Sequence, residues 1–271
     1  MAKLEAIQAD LERSQLRLAE IRANLKPIDP ISEISKYMED FEKIKGWFHR
    51  NYVPVYFCIN SYQEKHGIRG NLAEIGVYHG KSFIPLCCLC NPGELALAVD
   101  IFGDETSPKK NIIGDFNIFS DNIQKYLPTR LDCIKILQVN SEKCTPQDYL
   151  NKVKGKKMRI FSVDGCHTSE ATAIDLRNAY NCLVKGGVII LDDYFQIRTP
   201  GVSEGFHRFL LKDNPDLKAF FIGWNKMLLT HSSHAEGYLS ALRESLSPVR
   251  QSEFLGSPVL IIPTPKINWI S

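Results

Sequence analysis

No stretch of this chain is apolar for the roughly 20 residues that cross a bilayer, which excludes a membrane-spanning helix as its organising element. The first residues also lack an apolar core, because Lys3, Glu5, Asp10, Glu12 and Arg13 interrupt them. A secretory leader is therefore not expected, and the cytoplasm is the expected compartment. Net charge is nearly missing too: +2 over 271 residues gives no pull on nucleic acid or an anionic membrane. The eight cysteines include no second pair at zinc-ligand spacing. Cys87, Cys88 and Cys90 cluster inside the apolar run from Phe83 to Cys90, which reads as a buried helix carrying reduced thiols. A Gly-x-Gly-x-x-Gly turn is absent as well. Bulky Tyr78 stands where its middle glycine would be, which argues against a pyrophosphate packed there.

What remains is an ordinary globular composition, 44% hydrophobic and 24% charged, able to bury a large core. The first 25 residues place Leu4, Ile7, Leu11, Leu18, Ile21 and Leu25 at three-four spacing. That pattern predicts a helix over 1–26, either lying on the domain or forming a short coiled coil that makes the protein a homo-oligomer. Pro27 and Pro30 end it. Residues 31–66 read as a helical cap rich in aromatics, among them Tyr37, Phe41, Trp47, Phe48, Tyr52, Tyr56 and Phe57, which face a core or a substrate entrance.

From residue 68 to 271 the texture is that of an α/β domain. Strands are expected at Leu72–Val77, Leu95–Ile101, Ile134–Val139, Met158–Val163 and Val188–Leu191, with helices near 81–90, 111–127, 146–153 and 169–183. Strict alternation predicts a parallel sheet with right-handed crossovers. Beyond it, Ala219–Trp224 and Lys226–His231 form either a hairpin about Trp224-Asn225 or one long strand, and Val259–Ile262 is a further strand candidate.

The chemistry gathers at strand ends. Glu74-Ile75-Gly76-Val77-Tyr78-His79-Gly80-Lys81-Ser82 joins the first strand to its helix, with glycines suited to a sharp turn and a close ligand. Asp100 closes the second strand, where a carboxylate can accept from both hydroxyls of a ribose. Asp164-Gly165-Cys166-His167 and Asp192-Asp193-Tyr194 close the fourth and fifth. On neighbouring parallel strands these three aspartates and one imidazole converge, and like charges so close raise one another's pKa or recruit a cation. Oxygen donors favour Mg²⁺, Mn²⁺ or Ca²⁺ over zinc or copper. Two further segments are candidate walls for a substrate: Phe195–His207, which contains Arg198 and Pro200, and Phe102–Asn111.

In this order, Glu74 to Ser82, Asp100, Asp164 to His167, Gly186 to Tyr194 and Gly201-Val202 resemble class I S-adenosylmethionine-dependent methyltransferases. They are most similar to metal-dependent O-methyltransferases acting on sugars of natural products, of the macrocin and mycinamicin type. The resemblance covers residues 68 to 231. It implies a Rossmann-like sheet of seven mostly parallel strands with helices on both faces. It implies that Glu74, Gly76, Tyr78 and Gly80 form the cofactor turn, that Ser82 lies near the methionine end, and that Asp100 binds the ribose. Asn140 and Ser141 take the place of the adenine-side loop. Asp164, Asp192 and Asp193 match the metal carboxylates, Mg²⁺ being the expected ion. Asp164 also borders the cofactor, and together with the base His167 it makes up the catalytic pair. This chain departs from the mycinamicin type in having Asp192 where a glutamate stands, which shortens one ligand arm. The implied reaction moves the methyl of S-adenosylmethionine to a hydroxyl of a sugar or glycosylated small molecule, in building a surface polysaccharide or secondary metabolite. Two other readings stay open: a hydroxylase-like metal enzyme on the same fold, and a non-catalytic cofactor-binding or assembly module.

Overall fold

A computed structural model describes residues 30–103, 114–246 and 249–262. The helix expected over 1–26, with its coiled-coil alternative, lies outside these residues, as does most of the Phe102–Asn111 wall. Helix α1 (Pro30–Glu39), a 3-10 turn at Phe41–Lys43 and helix α2 (Tyr52–Lys65) come first. All five expected strands follow: β1 (Asn71–Ile75), β2 (Ala96–Asp100), β3 (Ile134–Gln138), β4 (Met158–Val163) and β5 (Leu183–Leu191). Between them lie helices α3 (Phe83–Cys87), α4 (Phe116–Tyr126), α5 (Pro146–Lys152) and α6 (Ser169–Cys182). Helix α7 (Pro200–Asp213), strands β6 (Lys218–Gly223) and β7 (Lys226–Thr230), helix α8 (Ser232–Ser245), and strands β8 (Arg250–Phe254) and β9 (Ser257–Ile261) complete the chain.

The strands form one sheet in the order β3-β2-β1-β4-β5-β7-β6-β9-β8. Among the described residues it therefore has nine strands where seven were expected. The first five pair in parallel, β7 runs antiparallel to both β5 and β6, β9 lies parallel to β6, and β8 returns antiparallel along the edge. Of the extra pair, β9 falls on the Val259–Ile262 candidate, whereas β8 hides in the sequence because it is polar and exposed along almost its whole length.

Each face of the sheet carries its own apolar layer. On one face, Tyr37, Tyr52, Tyr56, Phe83, Phe119 and Tyr238 bring α1, α2, α3, α4 and α8 against the strands. On the other, Tyr149, Leu176 and Phe206 do the same for α5, α6 and α7. β1 and β4 are buried throughout, as a strand covered on both faces must be.

Parallel register sets the strand ends side by side. The ladder runs one step past the strands: Gly76 N–H donates to Val99 (2.8 Å), Asp164 N–H to Ile75 (3.0 Å) and Asp192 N–H to Val163 (3.0 Å). Asp100, Gly76, Asp164 and Asp192 thereby occupy adjacent positions along the carboxyl edge. In open α/β sheets this edge is where ligands bind.

Candidate active site

Gly76 shows why the edge tolerates so little variation. Its φ is +83°, and a Cβ there would lie 1.8 Å from the Asp164 carbonyl oxygen. Only glycine lets β1 turn while β4 passes this close. The turn then carries Tyr78 in a left-handed conformation (φ 49°), with its N–H donating to Asp100 Oδ2 at 2.8 Å. Asp100 Oδ1 accepts from Phe102 N–H at 2.9 Å. One backbone donor per oxygen fixes the carboxylate and leaves lone pairs for two further donors, the pattern a ribose diol needs. Burial raises its pKa, while these amide bonds pull it back.

Glu74 is wholly buried below that turn. Its Oε1 accepts from Ser162 Oγ at 3.2 Å, and its Oε2 has no partner. Burial pushes this carboxyl up to about 8. An orphaned buried carboxyl oxygen beside a glycine turn fits a ligand with a hydrogen-bonding polar end. Ser82 sits at the N-terminus of α3 and is buried. Asn140 and Ser141 are used locally: Asn140 Oδ1 accepts from Glu142 N–H (3.0 Å), and Ser141 Oγ donates to Asp175 Oδ2 (3.1 Å).

The three aspartates divide into two groups. His167 Nε2 lies 3.6 Å from Asp164 Oδ1 and 3.6 Å from Asp193 Oδ2, and all three side chains reach the surface. Asp164 raises the His167 pKa above its ordinary value, against the effect of burial. Asp193 holds a left-handed backbone (φ 60°), and Asn225 Nδ2 donates to its Oδ1. Asp192 turns the other way. It is buried, and its Oδ2 accepts from the Lys226 ammonium, which also lies 3.9 Å from Asp164 Oδ2.

Lys226 is absent from the sequence-level site, yet it is the cation at the centre of the cluster. Its side chain is 2% exposed. The rings of Phe48 and Tyr52 stand 5.8 and 5.9 Å from the ammonium, and Tyr52 Oη donates to the Lys226 carbonyl at 3.3 Å. Burial works against the charge, but Asp192 and Asp164 outweigh it and hold the pKa above the ordinary value. The segment from 224 to 226 is the hairpin alternative realised: Trp224 and Asn225 both take positive φ and turn β6 into β7. That turn delivers Asn225 to Asp193 and Lys226 to Asp192.

A hard divalent cation fits the donor chemistry of Asp164 and Asp193. Asp192 is committed to an internal ammonium. Among the described residues no three side chains of this cluster bring one donor atom each within 4.8 Å of one another; the trio that does is Cys87, Cys90 and Cys133.

The mouth is walled by aromatics. Tyr78 packs on His79 (3.8 Å between centroids) and against Trp47 (5.4 Å), which is 74% exposed, while His49 stacks on Trp224 at 4.9 Å. Phe195 and Ile197 lie exposed on the loop after Asp193. Gly201 lets α7 press on this region, since a Cβ there would meet the His167 carbonyl at 2.5 Å. No described helix is long and apolar enough to cross a membrane.

Comparison with known proteins places this geometry. Residues 73–194 match a family model described as a methyltransferase domain. The fold is shared with the O-methyltransferase NovP, at 16% identity and a TM-score of 0.53 over 65% of this chain and 77% of that one. It is shared as well with CalS11, a TDP-rhamnose 3'-O-methyltransferase of calicheamicin biosynthesis, at 15% identity and a TM-score of 0.52 over 81% and 93%. No curated protein matches the sequence. Over residues 73–194 the chain is similar to methyltransferase domains, and it resembles class I S-adenosylmethionine-dependent O-methyltransferases.

Proposed function

We propose that the protein transfers the methyl group of S-adenosylmethionine to a hydroxyl of a sugar or glycosylated small molecule. The observation that carries this reading is the single edge on which Asp100 and Glu74 form a donor half and Asp164, His167 and Asp193 an acceptor half. S-adenosylmethionine supplies, when bound, an electrophilic methyl on a sulfonium, and a divalent cation, Mg²⁺ by its preference for oxygen, lowers the pKa of the acceptor hydroxyl.

The residues of the chain do the rest. Asp100 orients the ribose hydroxyls, and Glu74, protonated at neutral pH, offers a neutral partner to the polar methionine end. Tyr78, Gly80 and Ser82 line the same turn, and Asn140 and Ser141 border the adenine side. Asp164 and Asp193 would hold the cation on the His167 side, with Asp192 as the third carboxylate behind them. As the acceptor oxygen forms its bond to the methyl carbon and the sulfur bond breaks, the hydroxyl proton passes to His167 Nε2. Asp164 then stabilises the imidazolium.

Exposed Trp47 and the paired His49 and Trp224 rings offer flat apolar faces of the kind on which sugar C–H groups rest. CalS11, which acts on TDP-rhamnose, lends support to an activated sugar as acceptor.

The test is mass spectrometry of a panel of nucleotide sugars and glycosides after incubation with protein, cofactor and Mg²⁺. Gain of one methyl group, matched by one S-adenosylhomocysteine, is expected, and loss of both with Asp193→Ala. Full turnover by that variant, or by the wild type after thorough chelation, would sink the metal role. Methylation of an amine or thiol acceptor in place of a hydroxyl would overturn the reaction class.

A further inference from the structure

Away from the methyl-transfer edge, the chain assembles a second group of ligand-type side chains. Cys87 and Cys90 stand in a Cys-x-x-Cys spacing where α3 ends, and Cys133 closes the 3-10 turn Leu131–Cys133 before β3. Cys133 is 46 positions from Cys87, so only the fold brings it in. The Cys87 and Cys133 sulfurs are 3.9 Å apart, and all three lie within 4.8 Å of one another. All three are free thiols.

Their position is set by topology. Cys133 directly precedes Ile134, where β3 begins at the amino edge of the sheet. The cluster is therefore about one strand length, roughly 16 Å, from the aspartates. It joins the first crossover to β3, which is the outermost strand of the parallel half.

We propose that Cys87, Cys90 and Cys133 bind one thiophilic divalent cation of the zinc class, as a structural clip between α3 and β3. Four-coordinate zinc with sulfur bonds of about 2.3 Å holds its sulfurs roughly 3.8 Å apart, so the 3.9 Å pair needs no rearrangement. A disulfide would require the same pair to close to about 2.05 Å. Charge selects the valence: three thiolates leave one negative charge around a divalent ion and two around a monovalent one. Arg130 lies beside the site, with its Nη1 donating to the Cys90 carbonyl at 3.1 Å, although Glu33 already pairs its Nε at 2.5 Å. A single residual charge is the one this setting tolerates. Among the described residues no His, Asp or Glu joins the trio.

The experiment uses the full chain, reduced and stripped with chelator, titrated with Cd²⁺ either directly or after loading with one equivalent of Zn²⁺. Ultraviolet sulfur-to-cadmium absorption should rise to one equivalent in both, with one equivalent of zinc released in the second. Cys133→Ser should weaken binding about tenfold or more, while Cys166→Ser should leave it unchanged. If Cys133→Ser does not fold, alkylation of the wild type with and without zinc gives the answer. Joint protection of Cys87, Cys90 and Cys133 supports the site. Absence of the absorption at one equivalent, equal absorption in Cys133→Ser, or no protection by zinc would overturn it and leave the trio as packed core thiols.

Discussion

Two buried cations sit in the same sheet, at opposite edges, and they are handled differently. Arg159, at the amino end of β4, is wholly buried and paired with a carboxylate. Its Nε and Nη2 meet Glu94 at 2.9–3.0 Å, Nη1 donates to Gln63 at 2.6 Å, and Nη2 also reaches the Leu89 carbonyl at 2.6 Å. One guanidinium faces one carboxylate, with two neutral acceptors beside it. Lys226, at the other edge, faces Asp192 and Asp164 at once, and Asp193 and Glu74 lie close enough to feel its charge. The structural pair is closed on itself. The other is left with surplus negative charge at the surface, which suits a site that takes a cation and a proton.

The largest effects come from breaking each pair. Glu94→Ala strands Arg159, and Lys226→Met strands Asp192; each should cost about 3–5 kcal/mol in denaturant unfolding. The rescue separates them. Joining Arg159→Met to Glu94→Leu should recover most of the stability and leave turnover intact. Joining Lys226→Met to Asp192→Leu should recover stability without turnover. Equal recovery of activity in both doubles would erase the distinction.

Glu74 gives the next effect. Its folded pKa of about 8 lies above the unfolded value, so the folded state binds more protons. Its contribution is fully present below the unfolded pKa and is lost as pH rises through the folded one. Between pH 5 and pH 8 the wild type should lose a few kcal/mol that Glu74→Gln keeps, as read by unfolding at both values. Parallel curves for the two proteins would show that this carboxyl is not protonated.

His167→Ala should lower kcat by about a hundredfold. The wild-type rate should climb with pH as His167 loses its proton, and the variant should lose that limb. An unchanged profile would remove His167 as base. The smallest effect is Asn225→Ala, which frees Asp193 Oδ1 and should cost about 1 kcal/mol in stability, with a modest change in KM for the acceptor.

What could be read from sequence follows the same division. Gly76, Asp100, Asp164, Asp192 and Asp193 are all strand-end residues, and parallel strands in alternation with helices dictate that their ends share one edge. Lys226 and Asn225 arrive along an antiparallel strand, and nothing local separates a hairpin at Trp224-Asn225 from one continuous strand. Asp192 and Asp193 are sequence neighbours that read as one motif, yet the positive φ of Asp193 sends their side chains to different partners. Ser141 matches a ligand loop by position, but its hydroxyl is bonded to Asp175, a partner 34 positions away. Cys133 escaped notice for a related reason: its companions lie on another element.

The proposed methyl transfer needs a donor half and an acceptor half at one edge, and titration calorimetry with S-adenosylhomocysteine tests it most directly. One-to-one binding by the wild type, lost in Asp100→Ala and kept in Asp193→Ala, is the predicted result. No binding by the wild type, or equal binding by Asp100→Ala, would contradict it.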